Sequence, residues 1–105
     1  MYTYVWKVVK VQISYSEEKN RILKETRGVC FNDVVDAIER GFLLDDRNHH
    51  NPTKYINQRV MVVKMHGYVY LVPYVKEGKN IFLKTAYPSS SANKVYNLKK
   101  EPKNE

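Results

Sequence analysis

Four side chains in the second half of this chain, and His49 in the first, have the right types to act on a phosphate. Arg59 opens a β-branched run, "RVMVVKM", and Lys84 sits midway along "IFLKTAY". Either can hold an anion, and a guanidinium can do so through two parallel hydrogen bonds. Both can equally be solvent-facing strand charges. Lys94 and Tyr96 lie two apart in a short predicted helix, so they face different sides, and Tyr96 can simply pack that helix onto a sheet. His49 stands in a long polar loop, where an imidazole can accept a proton near neutral pH. Its neighbour His50 makes a metal pair conceivable, but adjacent histidines ligate together poorly and no cysteine or acidic triad completes a set. No metal and no cofactor is expected. Lys19 with Asn20, early in the first helix, and Ser89 with Ser90, after the last strand, can meet a backbone phosphate or serve only as helix-end residues.

The charge distribution points the same way. The chain has 105 residues and a formal charge of +7. Residues 1–57 carry nine Lys/Arg against eight Asp/Glu; residues 58–105 carry nine against three. A half so cationic suits an anionic partner such as nucleic acid, a membrane surface or an acidic protein. It also suits a merely solvated basic surface. Nine tyrosines are many for this length. Tyr68, Tyr70 and Tyr74 repeat at period two, which makes either a stacking platform for bases or a half-buried packing face.

These residues need a frame. The length is that of one domain able to bury one core. A single cysteine, Cys30, excludes an internal disulfide and reads as a small buried hydrophobe. No apolar run approaches the roughly twenty residues needed to cross a bilayer, and the N-terminus lacks the apolar block of a signal peptide. The expected location is therefore the cytoplasm, with no membrane partner.

Residues 2–14 read as one strand with a slip in its alternation, consistent with a bulge, or with a loosely paired extension over residues 1–10. Ser14 or Ser16 caps a helix that carries Ile22 and Leu23 inward and ends at Gly28. A second helix is capped by Asn32, has Phe31, Val34, Val35 and Ile38 at helical spacing, and stops at Gly41. "FLLDD" is a short strand, followed by the loop "RNHHNPTKYINQ". Strands over 59–65 and 68–75 flank His66-Gly67, a two-residue hairpin turn. Pro73 marks an edge or a bulge, since it cannot donate to a ladder. The last strand, 81–87, runs into Pro88, a serine cap and one or two helical turns; 100–105 reads as a disordered tail. The whole is a single α+β domain over residues 1–99, in the order β-α-α-β-β-β-β-α. Its helices pack on one face of a mainly antiparallel sheet and leave the other face open or covered by a partner.

With these residues in order, the chain resembles the BrnT-like toxins of bacterial type II toxin–antitoxin pairs, within the wider RelE-like group of small ribonucleases. The resemblance runs over residues 11–97. It is carried by "ISYSEEKNRIL", "RGVCFNDVVDAIERG", "NPTKYINQRVMVV", "YVYLVPYV" and "IFLKTAYPSSSANKVY". It implies a RelE-like fold and a metal-independent endoribonuclease. It also implies a cognate antitoxin, often DNA-binding, that holds the enzyme silent in a hetero-oligomer. In such chemistry the 2′-hydroxyl attacks its own phosphate; a base takes its proton, a cation stabilises the phosphoryl oxygens and an acid protonates the leaving oxygen. Arg59, Lys84, Lys94, Tyr96 and His49 are the candidates for these roles, with Lys19, Asn20, Ser89 and Ser90 on the RNA backbone. One departure stands out: Ser90 and Ser91 occupy positions where the family commonly has two cations. That opens a second reading, a catalytically weakened homologue that binds antitoxin or RNA without cutting.

Overall fold

Ser16 sets the first helix. Its side chain accepts from the Lys19 amide at 3.2 Å, and Glu17 and Glu18 follow in the first turn, where the helix dipole favours acids. In the computed structural model, which describes residues 2–6, 9–49, 51 and 53–97, helix α1 spans Glu17–Arg27. It ends where Gly28 turns left-handed (φ 74°) and bonds back to the Lys24 carbonyl at 3.1 Å. Only Leu23 of α1 is buried; Ile22, expected beside it, is exposed. Helix α2, Phe31–Glu39, is the strongly amphipathic one, burying Phe31, Val34, Val35, Ala37 and Ile38. Its cap is Cys30, not Asn32. The Cys30 amide donates to Asp33 Oδ2 at 3.1 Å, while Asn32 Oδ1 accepts from Asn20 Nδ2 at 3.0 Å. Cys30 is partly exposed, so its backbone place in the cap, and not burial, defines its role.

Residues 2–15 are two strands, not one. β1 (Tyr2–Trp6) pairs antiparallel with β2 (Val9–Tyr15), from Trp6 opposite Val9 to Tyr2 opposite Ile13. The slip in alternation thus falls between two antiparallel strands. The remaining strands are β3 (Leu43–Asn48), β4 (Gln58–Met65), β5 (Tyr68–Glu77), β6 (Asn80–Leu83) and β7 (Tyr87–Pro88). The sheet order is β1-β2-β6-β5-β4-β3, with β7 also on β5. Every pairing is antiparallel except β2 with β6. That parallel seam is possible because the intervening chain, with both helices, makes the crossover that parallel neighbours require.

Pro73, expected at an edge or a bulge, sits in a strand whose register with β4 is unbroken and lies beside a gap in its other neighbour. It faces Val60 on β4, and on its other side the neighbouring strand is interrupted between β6 and β7. The Pro73 carbonyl accepts from the Lys84 amide at 2.9 Å. The missing N–H points the same way, into the break at 84–86, where no ladder bond is lost. Arg27 closes that break from above, Nη1 to the Ala86 carbonyl at 2.6 Å.

Both faces are covered. On one, α1 and α2 bury Ile13, Met61, Val63, Met65, Val72, Tyr74, Ile81, Leu83 and Ala86. The opposite face, expected to be open or covered by a partner, is covered in part by the chain's own end. Ser89 Oγ accepts from the Ala92 amide at 3.2 Å and caps a short helix, α3 (Ser90–Ala92). α3 continues into a π-helical turn over Asn93–Asn97. Ala92 and Tyr96 seat on Val62, Val69, Leu44 and Leu71. This is why β4 is apolar at consecutive positions: Met61 and Val63 face the paired helices, and Val62 faces the C-terminal turn. The result is an α+β fold; the tail at 100–105 lies outside the described residues.

Candidate functional site

The edge strand β3 decides where the polar residues go. Leu43 pairs with Val63, yet Asp45 pairs with Val62, so Leu44 is an extra residue in a bulge. Leu44 and Asp45 therefore share the face of the C-terminal turn. Asp46 and Asn48 then fall on the paired-helix face, and Arg47 on the other.

On the paired-helix face the acceptor is Asp46. Tyr74 Oη donates to its carboxylate at 2.9 Å, and Arg59 Nε donates to Oδ1 at 3.2 Å. Arg59 also reaches the Asp46 carbonyl at 3.1 Å and Asn48 Oδ1 at 2.6 Å. Tyr74 is 1% exposed. Burial first, then the hydrogen bond and charge of Asp46, hold its phenol far above the usual range, so it stays neutral. Burial works against the Arg59 cation, but Asp46 outweighs it and the guanidinium is held above its ordinary value.

On the opposite face Tyr96 Oη donates to Asp45 Oδ2 at 2.6 Å, and the Arg47 guanidinium lies 5.9 Å from the Tyr96 ring centre. The Tyr96 hydrogen bond, then the Asp46 amide, lower the Asp45 carboxyl below its usual range. The same bond raises the Tyr96 phenol. Arg59 of β4 and Tyr96 of the C-terminal turn are thus held on opposite faces of the sheet by neighbouring carboxylates of the edge strand, Asp46 and Asp45.

The other nominated residues lie elsewhere. His49 stacks against Tyr55, ring centres 4.3 Å apart, with Lys54 over the same ring at 5.4 Å. Its neighbour His50 lies outside the described residues. Lys84 is exposed at the break after β6, and Lys94 is exposed in the π-helical turn. Lys19 sits in the first turn of α1. Asn20 uses its amide inside the fold: Oδ1 accepts from the Phe31 amide and Nδ2 donates to Asn32. Ser89 is a cap whose hydroxyl also meets Ser91 Oγ at 3.4 Å, and Ser90 is exposed. The tyrosine platform is not free, since Tyr74 is buried under the helices and Tyr70 packs against the same core. Among the described residues no group of three His, Cys, Asp or Glu could hold a metal ion. No helix among them is long and apolar enough to cross a membrane.

Two of the hollows among the described residues bear on the site. One, of about 500 Å³, is lined by Gln12, Ser14, Val75, Glu77, Asn80, Ile81 and Phe82 and holds no cation. The other, of about 340 Å³, lies between α2 and the β4–β5 turn and contains Asp33, Asp36, Arg40, Phe42, Lys64 and His66. None of Arg59, Lys84, Lys94, Tyr96 or His49 lines either hollow. The acids that restrain Arg59 and Tyr96 were visible as "DD" in the sequence. Their division between faces was not, because it depends on a bulge one residue earlier. No family model, curated protein or solved structure matches this chain.

Proposed function

We propose that this chain is the toxin component of a bacterial type II toxin–antitoxin pair, BrnT-like and RelE-like in kind. It cuts RNA without a metal, by directing a 2′-hydroxyl onto its own phosphodiester, and a cognate antitoxin covers it in the resting pair. The observation that carries this reading is the parallel β2–β6 seam. It sets the strand leading into the paired helices beside the strand leading to the serine-capped C-terminal turn. The segments that carry the family resemblance thereby become neighbours in one sheet. The excess of cations after residue 57 supports a polyanionic substrate.

A second reading is favoured by the restraint on the nominated groups. Arg59 is engaged by Asp46 and Asn48, Tyr96 by Asp45, and serines stand at 90 and 91. Removing one charge-stabilising donor typically costs about 10²–10³ in rate. A chain so altered is a slow enzyme, or one that only holds its antitoxin.

Expression without the product of the adjacent reading frame should arrest growth. The purified chain should cleave RNA in the presence of a chelator, leaving 2′,3′-cyclic phosphate ends. Intact RNA at high concentration of folded chain removes the enzyme reading, and tight binding to the neighbouring gene product then sustains the second. If lost charge is the cause of slow cleavage, Ser90→Arg with Ser91→Lys raises the rate.

A further inference from the structure

The β4–β5 turn has two central residues, and both are left-handed: His66 at φ 57° and Gly67 at φ 72°. Tight hairpins need this geometry, and Asn, Asp or Gly ordinarily fill it. A left-handed side-chain residue costs roughly 1–2 kcal/mol. Histidine, with Asn and Asp, is among the side chains that enter this region more readily than most. The ring reaches helix α2, with Nε2 3.2 Å from Asp33 Oδ2.

Asp33 is itself fixed, because the same Oδ2 accepts the Cys30 amide at the start of α2. An ionised carboxylate only accepts, so in this contact Nε2 carries the hydrogen, and the neutral form of the ring then has its lone pair on Nδ1. Nδ1 has no partner among the described residues. The two side chains are 51% and 35% exposed, open enough to meet a substrate. They line the 340 Å³ hollow with Lys64, Phe42, Asp36 and Arg40. Arg40 is bound to Asp36 at 3.1 Å, whereas Lys64 has no ion-pair partner among the described residues. Phe42 is 44% exposed.

We infer that His66 is the proton acceptor of the RNA-cleaving centre, positioned by Asp33, with Lys64 on the phosphate and Phe42 beneath a base. This rests on the endoribonuclease reading above and locates its chemistry in the hollow between α2 and the hairpin. The 2′-oxygen bonds to phosphorus and its proton passes to Nδ1. The bond from phosphorus to the 5′-oxygen breaks, and that oxygen takes a proton from water at the open mouth. The imidazolium then returns its proton to water, leaving a 2′,3′-cyclic phosphate and a 5′-hydroxyl. The charges lining the hollow with the ring are Asp33 and Asp36 from α2, Arg40 at its C-cap and Lys64 from β4.

The test uses the full chain and a single-stranded RNA oligonucleotide. Asparagine suits a left-handed turn, so His66→Asn keeps the fold, and it should cut roughly 10²–10⁴-fold more slowly with RNA affinity unchanged. His66→Gly should be rescued by added imidazole. Asp33→Asn should lower kcat while leaving KM in place, a split that a purely structural role would not give. Lys64→Met should weaken binding and reduce the slope of log affinity against log salt by about one. A wild type that cleaves, with His66→Asn cleaving at the same rate, overturns this centre and leaves the enzyme reading standing. A folded wild type that leaves the oligonucleotide intact overturns both.

Discussion

Tyr96 and Asp45 are joined by a 2.6 Å hydrogen bond that fastens the C-terminal turn to the edge strand of the sheet. The bond spans 51 positions of sequence and exists only because the bulge at Leu44 turns Asp45 toward that face. Its strength depends on pH in a calculable direction.

Asp45 is held below its ordinary carboxyl value, first by Tyr96 and then by the Asp46 amide, so its contribution is present above the unfolded value near 3.8. It is lost as pH falls through the lower folded value. Tyr96 is held above 10.0, so its contribution is full below that and lost as pH rises through the higher folded value. Tyr96→Phe should therefore destabilise by about 1 kcal/mol between these limits, the modest figure of a partly solvated bond. Urea unfolding across pH should show the wild type and variant converging at both ends; a gap that is constant with pH contradicts the account.

The Asp46 cluster should behave as a unit. Tyr74→Phe leaves Arg59 on Asp46 and should cost about 1–2 kcal/mol. Asp46→Ala strands a buried phenol and a partly buried guanidinium together, and should cost about 3 kcal/mol. Combining the two should cost less than their sum, as expected for groups that share one acceptor. Additive losses in denaturant titrations would show that the three groups do not form a single network.

Asn20 should matter for folding. Asn20→Ala frees the Phe31 amide at the first turn of α2 and removes the tie to Asn32. A loss of about 1–2 kcal/mol is expected, with RNA affinity unchanged. Thermal melts with and without RNA separate the two roles; weaker binding with an unaltered melting temperature would return Asn20 to the RNA surface.

Gly28 is the stop of α1, with a left-handed backbone and no atom within 4 Å of a built Cβ. Space is not the obstacle there; the backbone is. Gly28→Ala should cost about 1–2 kcal/mol and Gly28→Asn clearly less, since asparagine tolerates the left-handed region. Equal costs for the two would point to packing.

Much of the frame was legible from local rules. Ser16 and Gly28 bracket α1 as capping chemistry requires, His66-Gly67 makes the predicted hairpin, Pro73 lies beside a gap in the ladder and Ser89 caps the last helix. Each depends on a residue's own backbone preference or on a bond three positions away. Asn32 failed as a cap because Cys30 supplied the same backbone geometry two residues earlier, and Asp33 closed the capping box.

What the sequence determined by itself was the two helices, the central hairpin and the excess of cations in the second half. What only the tertiary structure decided was which polar groups meet. The Leu44 bulge sends Asp46 to Arg59 and Tyr74, and Asp45 to Tyr96. The hairpin sets His66 on Asp33, 33 positions away. The physical reason is register. A side chain's face alternates at every residue, so one extra residue reassigns every partner beyond it, and a linear reading carries no count of such shifts.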